Sequence, residues 1–418
     1  MLGFIRHHAA DVFINNIYPM IMKHRVNALK KKETINVVFL ALNVSMWRYQ
    51  GIYELMAKEK RFKVFVVLTI STTYSKEQQT KDLELLRTYF SSRGIDYYDF
   101  DETTGKGFDL NRLNPDIIFY PQPYDGFSCE EHDYKNFRSK LLCFVPYGIG
   151  QTEEAWFYNT QFHNLAWKLY YPFPVDLERS KRIAHNRGRN MVISGYTNFD
   201  LYLSPLAKDV WKLKDNKLKR LIWAPHFSIG TKNTFYTHSN FLWMAELMII
   251  LARRFETKLQ IAFKPHPRLK SELYKHPDWG KERTDEYYRL WEEMPNTFVE
   301  TGDFIDLFKT SDAMIHDCSS FAIEYLFVNK PVAFVTRNLQ STFSDLPEFG
   351  QQAIKMHYIV KNEKEISAFI EDVVFDESDT MKDKRSFFFS THLKPQSGLT
   401  TNEFIVDDIK RSLGIKVQ

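Results

Sequence analysis

The sequence predicts an α/β protein with two doubly wound domains that face each other across a cleft, preceded by a helical, basic N-terminal segment. Three observations predict this class. The chain has 418 residues, more than the roughly 250 to 300 that one hydrophobic core usually serves. Short apolar runs of strand length alternate with longer segments whose apolar residues recur at helical spacing, which is typical of βαβ units. The alternation begins again near residue 200, so two mostly parallel sheets are expected.

Residues 1–33 predict an amphipathic helix followed by a basic stretch. Apolar residues from Phe13 to Ile21 recur at near-helical spacing, and lysines and arginines follow as far as Lys32. This pattern is typical of a helix on an anionic membrane surface, and equally of a helix packed on its own domain. The segment lacks the order of a secretory signal, and the chain has no apolar run of transmembrane length.

Composition excludes several classes of protein. Charged residues make up 26% and hydrophobic residues 44% of the chain, which is ordinary for a folded enzyme. The net charge of +4, without a basic stripe, argues against nucleic-acid binding. The three cysteines, Cys129, Cys143 and Cys318, are too few and too scattered for a disulfide framework or a zinc site, so a reducing, cytoplasmic compartment is expected. Peripheral contact with the inner face of the cell membrane is an open alternative within that location.

The first domain is predicted to span residues 34–200, with strands at 34–42, 61–70, 94–101, 115–125 and 140–148. Ligands of open α/β sheets bind beyond the carboxyl ends of the strands. Polar residues at those ends are therefore candidates for binding. They are Trp47, Arg48, Tyr124, Tyr147 and Gly148. Gly148 belongs to a glycine turn, PYGIG, where the absence of side chains permits close approach of a ligand to the backbone. The alternative is a turn without a ligand.

The second domain is predicted to span residues 201–395, with strands at 220–226, 259–267, 297–302, 311–320 and 330–336. Residues 396–418 are expected to end the chain in a helix. Here the polar strand ends include WAPHFS, with His226 and Ser228 followed by Gly230 and Thr231 in a flexible loop. A lone histidine is more often structural than a ligand, so His226 is the weaker candidate.

The stretch FKPHPRLK places Lys264, His266 and Arg268 at the end of an apolar run. The two prolines restrict the backbone on both sides of the histidine. A histidine presented from a stiff turn beside two cations suits a negatively charged ligand, to which it donates a hydrogen bond or with which it exchanges a proton. The alternative is a basic turn at the surface.

The stretch DCSSFAIE predicts that a strand passes into a helix at an anion-binding site. The first backbone N–H groups of a helix lack internal partners and attract anions, and Ser319 and Ser320 add hydroxyl donors. Asp317 lies just before them, and Glu324, one turn later, is suited to accept from ribose hydroxyls. Plain helix capping is the alternative, because Ser and Asp stabilise a helix start by about 0.5 to 2 kcal/mol without a ligand.

Together these motifs resemble a known family. The order of APHF, FKPHP and SDAMIHDCSSFAIEYLFVNKPVAF, preceded by ISGYTNFD, is similar to that in the CDP-glycerol glycerophosphotransferases, the teichoic-acid and capsule phosphopolyol transferases. The resemblance covers most of the chain and is strongest from about 190 to 340. It implies a GT-B-type arrangement of two Rossmann-like domains, with the nucleotide held by the second.

The resemblance also implies roles for individual residues. His266 matches the family's essential histidine, and the segment of Asp317, Ser319 and Ser320 matches the one that holds the CDP phosphates, beside Lys264 and Arg268. The first domain takes the acceptor, with Trp47, Arg48, Tyr124 and Gly148 on that side. Where the family usually has His-Gly at the end of the first domain, this chain has Tyr147-Gly148. Either Tyr147 takes over that catalytic role, or His226 or another group serves, or the substrates differ.

The favoured hypothesis is transfer of glycerol phosphate or ribitol phosphate from a CDP-activated donor to a hydroxyl of a lipid-linked surface polymer, with release of CMP. In this hypothesis a histidine takes the proton of the attacking hydroxyl, and cations and the helix start stabilise the phosphoryl oxygens. No resident cofactor is expected; the aspartates are not clustered as metal ligands, and Mg²⁺ stays an open alternative. Two rivals are a GT-B glycosyltransferase that uses a nucleotide sugar and a non-catalytic scaffold that binds polymer.

Overall fold

The protein is described by a computed structural model that covers residues 11–126, 128–150, 154–229, 239–302, 304–395 and 397–417. Residues 1–10 of the predicted N-terminal helix, and Gly230 and Thr231 of the predicted flexible loop, lie outside these ranges. The chain forms two compact units. Unit 1 comprises Met1–Ile149, Glu153–Asp200 and Pro395–Gln418, and unit 2 comprises Gly150–Thr152 and Leu201–Lys394.

In the described part of unit 1, seven parallel strands form one sheet in the order β3-β2-β1-β4-β5-β6-β7. Their bounds are β1 Ile35–Ala41, β2 Phe62–Leu68, β3 Tyr97–Tyr98, β4 Ile117–Tyr120, β5 Leu141–Phe144, β6 Lys168–Tyr171 and β7 Met191–Ile193. The prediction that the strand at 140–148 is the last of this domain is wrong. β6 pairs with β5, and β7 pairs with β6, so two further strands of four and three residues complete the sheet.

In unit 2, six parallel strands form a second sheet in the order β10-β9-β8-β11-β12-β13. Their bounds are β8 Lys219–Ala224, β9 Leu259–Phe263, β10 Thr297–Val299, β11 Ala313–His316, β12 Val332–Val335 and β13 Tyr358–Val360. Four of them lie within the predicted runs, β8 begins one residue before its run, and the three-residue β13 was not predicted. The order places β8 between β9 and β11, so the loops that follow these three strands are neighbours.

The helices connect the strands of each unit. Unit 1 has Tyr18–Lys30, Gln50–Ala57, Lys76–Ser91, Ala155–Tyr158, Gln161–Leu165, Pro174–Ile183 and Thr401–Ser412, and Phe199–Leu203 spans the division between the units. Unit 2 has Phe241–Arg254, Leu269–Lys275, Gly280–Glu293, Ile305–Thr310, Phe321–Glu324, Leu339–Ser344, Glu348–Ile354, Glu363–Ala368 and Lys382–Phe388. π-Helical turns cover Phe13–Ile17, Phe369–Phe375 and Phe389–Leu393, and 3₁₀ turns cover Val44–Met46, Leu110–Leu113, Glu130–His132, Tyr134–Phe137 and Tyr325–Val328.

Both faces of each sheet are buried, as expected for parallel sheets covered by helices. In β1, Val37 and Phe39 belong to the apolar cluster on one face, and Val38 and Leu40 belong to the cluster on the other. The core of unit 2 is rich in aromatic rings: Trp223 lies 4.9 Å from Phe263, centroid to centroid. Such continuous apolar runs explain why most of the strands were predictable.

The C-terminal helix Thr401–Ser412 belongs to unit 1, although it follows unit 2 in the sequence. Its Ile405 and Ile409 are buried in the core of unit 1. The carboxylate of Asp200 accepts the backbone N–H groups of Thr401 and Asn402, both at 2.8 Å. A carboxylate at a helix N-terminus is favoured by the helix dipole, so Asp200 fixes the start of this helix.

The N-terminal helix packs on its own unit, as one of the two predicted alternatives states, but some of its apolar side chains are exposed. Tyr18 and Met22 are buried in the core of unit 1. Ile17, Met20 and other apolar side chains of the same segment are exposed, Met20 by 72%. Among the described residues, no helix combines the length and apolar character that crossing a membrane requires.

Candidate functional site

The candidate nucleotide site is the carboxyl edge of unit 2, meaning the loops that follow β8, β9, β11 and β12. His226 follows β8 and His266 follows β9, and their ring centroids are 5.2 Å apart. Phe227 packs against both rings, at 4.3 and 4.4 Å. The strand order thus brings together two histidines that are 40 positions apart in the sequence.

The local hydrogen bonding of His266 determines which ring nitrogen carries the proton. Its Nδ1 accepts the backbone N–H of Arg268 at 3.1 Å, so the proton of the neutral ring lies on Nε2. Burial, and secondly the charge of Arg268, lower the pKa of His266 to about 4. At neutral pH the ring is therefore an uncharged hydrogen-bond donor through Nε2.

His226 is held by the loop that follows it. Its Nδ1 interacts with the hydroxyl of Ser228 at 2.9 Å and accepts the backbone N–H of the same residue at 3.4 Å. Its carbonyl accepts the hydroxyl of Ser239 at 2.7 Å. The ring orientation is thus fixed by its own turn and by the start of the helix Phe241–Arg254.

The two cations near His266 differ in environment. Lys264 is 7% exposed, and its Nζ donates to the carbonyl of Gly302 at 2.6 Å. The side chain of Arg268 is 58% exposed, lies over the ring of Phe227 at 4.2 Å and is 3.5 Å from the carboxylate of Glu272. Arg268 is therefore the more accessible of the two, and the predicted phosphate contact of Lys264 stays a prediction.

Asp317 supports the site from inside, and its predicted place among the phosphate-binding residues stays a prediction. The residue is 3% exposed. Its Oδ1 accepts the backbone N–H of His226 at 2.6 Å, and its Oδ2 accepts the backbone N–H of Asn240 at 2.5 Å. Burial raises its pKa to about 6. Both oxygens are used within the protein, so Asp317 ties the loop after β8 and the helix at Asn240 to the end of β11.

Ser319 and Ser320 follow Asp317, and their hydroxyls are available to a ligand. Ser319 is half-buried and Ser320 is exposed. Ser320 occupies the N-cap of the helix Phe321–Glu324 without a capping hydrogen bond from its side chain. Within the described part of the chain neither hydroxyl makes a hydrogen bond. Plain capping therefore does not account for the two serines.

The helix after the serines is shorter than the sequence predicts. One α-helical turn, Phe321–Glu324, passes into the 3₁₀ turn Tyr325–Val328. Asn329 ends it in the left-handed region, with φ of 53°. Glu324 is 5% exposed, so its predicted contact with ribose hydroxyls stays a prediction.

The candidate acceptor residues of unit 1 form a separate group at the carboxyl edge of its sheet. Arg48 donates from Nε to the carbonyl of Tyr147 at 3.0 Å. Tyr124 is hydrogen-bonded to Tyr147 through their side chains and packs against Trp156 at 5.8 Å. Burial raises the pKa of both phenols, so Tyr147 keeps its proton at neutral pH. The phenol of Tyr147 is therefore neutral at that pH, and its predicted catalytic role stays a prediction.

Two other predicted residues of unit 1 have simple environments. Trp47 lies in the core, and its predicted place on the acceptor side stays a prediction. It is 5% exposed, packs against Phe39 and Phe90, and donates from Nε1 to Gln50 at 2.9 Å. An apolar ring next to a buried strand end is drawn into the core by hydrophobic burial. A Cβ added to Gly148 meets nothing within 4 Å, so the chain itself does not require glycine there.

Sequence analysis missed two residues at the carboxyl edge of unit 2. Asn240 is the N-cap of the helix Phe241–Arg254 and donates from Nδ2 to the carbonyl of Val335 at 3.0 Å. Arg337 follows β12 and lies over the ring of Trp243. The rule that directed attention to strand ends also applied to Arg337, because it immediately follows the predicted strand 330–336. Within the described ranges, no group of three or more His, Cys, Asp or Glu side chains is arranged to hold a metal ion.

Comparisons with known proteins agree with this architecture. The family model described as CDP-Glycerol:Poly(glycerophosphate) glycerophosphotransferase matches residues 181–409. A search of curated protein sequences gave no match.

Three solved structures illustrate the fold. A variant of the wall teichoic acid polymerase TagF has a TM-score of 0.57 at 12% identity, covering 99% of this chain and 98% of that chain. The UDP-GlcNAc 2-epimerase from Neisseria meningitidis bound to UDP-GlcNAc has a TM-score of 0.54 at 13% identity, covering 90% and 100%. S. aureus MnaA with UDP has a TM-score of 0.55 at 13% identity, covering 92% and 98%. These likenesses confirm the predicted class of two Rossmann-like, GT-B-type domains.

Proposed function

The chain belongs to the CDP-glycerol:poly(glycerophosphate) glycerophosphotransferase family and is a transferase; we propose that it moves glycerol phosphate or ribitol phosphate from a CDP-activated donor to a hydroxyl of a cell-surface polymer and releases CMP. The observation that carries this proposal is the carboxyl edge of unit 2. There the neutral donor His266 follows β9, and the hydroxyls of Ser319 and Ser320 follow β11. β8 lies between these two strands. Donors of this kind match the oxygens of a diphosphate.

In the proposed reaction the acceptor oxygen attacks the distal phosphorus of the donor. The bond from this phosphorus to the bridging oxygen breaks, and CMP leaves with that oxygen and the bonding electrons. Phosphoryl transfer usually passes through a loose transition state, so catalysis depends on positioning and on stabilising charge at the phosphoryl oxygens. We assign these tasks to the Nε2–H of His266, the hydroxyls of Ser319 and Ser320, and the guanidinium of Arg268. The acceptor proton passes to a base or to water, and the CDP-linked donor is a substrate, so no resident cofactor is invoked.

Identification of the released nucleotide tests this function. The protein is incubated with CDP-glycerol, CDP-ribitol and a panel of UDP- and GDP-sugars, each with acceptor fragments. CMP from a CDP-polyol is the expected product. UDP or GDP as product contradicts the proposal in favour of glycosyl transfer, and the absence of any released nucleotide favours a polymer-binding scaffold.

We also propose that the polymer acceptor is lipid-linked and that the N-terminal helix contacts an anionic membrane. Its exposed Ile17 and Met20, followed by basic residues up to Lys32, support this location. The double variant Ile17→Gln, Met20→Gln is expected to sediment less with anionic liposomes than wild type does. Phe387→Gln, at a 69% exposed apolar residue of unit 2, is the matched control. Undiminished sedimentation of the double variant contradicts the proposed contact.

A further inference from the structure

Arg337 is a cation at the carboxyl edge of unit 2 that the proposed mechanism does not use. It is exposed and lies just beyond β12. Its guanidinium carbon is 4.6 Å from the ring centroid of Trp243. Within the described part of the chain, the guanidinium has neither a hydrogen-bond acceptor nor a carboxylate partner. An arginine stacked on an aromatic ring keeps its in-plane N–H groups directed outward, where they can bind an anion.

The ring under Arg337 is held by hydrogen bonds that lead back to Asp317. Nε1 of Trp243 donates to Oδ1 of Asn240 at 2.9 Å. The backbone N–H of Asn240 donates to the carboxylate of Asp317, and its Nδ2 donates to the carbonyl of Val335, the last residue of β12. The position of the indole is therefore determined by the ends of β11 and β12, the strands that precede Ser319 and Arg337.

Arg337 and the serines follow neighbouring strands of the sheet. β11 and β12 are parallel neighbours, with His316 paired to Phe334. Ser319 and Arg337 are each the third residue after this pair. Neighbouring strands are about 4.8 Å apart, so the loops that begin there lie side by side. One loop supplies free hydroxyls and the other a free cation.

We infer that Arg337 binds a phosphoryl group of the nucleotide donor, as the cationic partner of Ser319 and Ser320. The ligand class is a nucleoside diphosphate or its ester, because a guanidinium beside two hydroxyls offers several N–H and O–H donors to adjacent phosphoryl oxygens. This inference rests on the proposed use of the edge as a donor site, and it adds a binding residue and a charge requirement. The alternative is a cation–π contact that contributes only to stability.

Isothermal titration of the full chain with CDP, CMP and cytidine tests the inference. Arg337→Gln is expected to weaken CDP binding by about 10- to 100-fold, the range expected when a charge-assisted hydrogen bond is lost. Cytidine binding is expected to be unchanged. Arg337→Lys should recover part of the affinity, since lysine keeps the charge but not the planar set of donors.

Arg254→Gln is the matched control. Arg254 lies at the other end of the helix that carries Trp243, stacks on Phe255 at 4.9 Å and pairs with Glu371 at 2.9 Å. Its loss is expected to leave CDP affinity unchanged. Thermal unfolding of both variants separates loss of affinity from loss of folded protein.

The outcomes distinguish this inference from the proposed function. Wild-type CDP affinity in Arg337→Gln overturns the role of Arg337, and so does an equal loss for CDP and cytidine, even if the enzyme releases CMP. If the wild type binds UDP or GDP in place of CDP and Arg337→Gln weakens that binding, Arg337 keeps its role and the CDP function falls. Failure of the wild type to bind any nucleoside diphosphate overturns both.

Discussion

The carboxyl edges of the two sheets carry different chemistry. In unit 2 the edge has a neutral histidine donor, free serine hydroxyls and the cations Arg268 and Arg337. In unit 1 the edge has the hydrogen-bonded phenols of Tyr124 and Tyr147, whose pKa values burial raises. Arg48 adds one cation to the unit 1 edge, where its Nε donates to the carbonyl of Tyr147, so the two edges differ in the number and type of donors that they present.

Two sheets of similar topology thus carry different functional groups at their carboxyl edges. Both sheets are parallel and both place loops at their carboxyl ends, but the residues in those loops set charge and hydrogen-bonding capacity. We therefore expect substitutions at the edge of unit 2 to change donor binding and chemistry, and substitutions at the edge of unit 1 to change use of the acceptor. The following predictions test that division, beginning with the largest expected effect.

His266→Ala is expected to lower kcat by about 100- to 10,000-fold, the range typical of a side chain that exchanges or donates a proton in the transition state. Donor affinity should fall much less. His276→Ala is the control, because Nδ1 of His276 accepts the N–H of Asp278 at 3.2 Å in the same local pattern. Turnover measured with saturating donor checks this, and unaltered turnover in His266→Ala would refute its role.

Asp317→Asn is expected to lower the free energy of unfolding by about 1 to 3 kcal/mol, because an NH₂ group then faces a backbone N–H that has lost its acceptor. It should also weaken donor binding. Asp312→Asn is the matched control at the opposite end of β11, where the carboxylate accepts the N–H of Arg220 at 2.7 Å. Urea titration and CDP binding check both variants, and equal donor affinities would contradict a role specific to Asp317.

The stability contribution of Asp317 depends on pH with a definite sign. Its pKa of about 6 in the folded chain exceeds the value of about 3.9 in unfolded chains. The folded state thus binds the proton more tightly, and this stabilisation is present below about pH 4 and is lost as pH rises through about 6. The difference in unfolding free energy between wild type and Asp317→Asn should follow that curve.

Arg268→Gln is expected to shift the acid limb of the pH profile of kcat/KM to higher pH. The wild-type limb should lie near pH 4, where His266 becomes protonated and its neutral donor form is lost. Removal of the guanidinium raises the pKa of His266, but burial, the larger cause, keeps it below the ordinary value of about 6.5. Arg283→Gln, which removes an arginine that lies over a different aromatic ring, that of Trp279, should leave the limb in place. A limb that does not move in Arg268→Gln contradicts the electrostatic coupling.

Tyr147→Phe is expected to lower kcat by less than about 10-fold, because it removes a neutral hydrogen bond and no base. The KM for the acceptor should change more than the KM for the donor. Steady-state kinetics with each substrate varied in turn checks this. A loss as large as that of His266→Ala would show that the phenol takes part in the chemistry.

Gly148→Ala is expected to have the smallest effect on the folded chain, since the added Cβ has open space. Thermal unfolding should match wild type. A rise in the KM for the acceptor would then indicate that a ligand approaches this backbone, and an unchanged KM would remove Gly148 from the acceptor side.

Much of the second unit was predictable because its motifs are contiguous. FKPHPRLK and DCSSFAIE each place a buried strand directly before polar residues, so the carboxyl-end rule was enough to select His266, Ser319 and Ser320. The same rule selected Trp47, whose ring lies in the core, because it considers position along a strand but not whether hydrophobic neighbours draw a side chain inward. The strands β6, β7 and β13 were not predicted, although strands of the same length, such as β5 and β10, lie within predicted runs.

Alternating hydrophobic runs and strand-end motifs are local, so they were enough to predict the α/β class, the two parallel sheets and the terminal helix, and to select candidate residues for a nucleotide site. Three other features could not be read from the sequence: Asp317 is an internal support, His266 presents a neutral Nε2–H, and Arg337 lies over the ring of Trp243. Each of these depends on contacts between distant segments: Asp317 with Asn240, the burial of the His266 ring against Phe227, and Trp243 beneath Arg337. Strand order creates those contacts, and no local pattern in the chain encodes strand order.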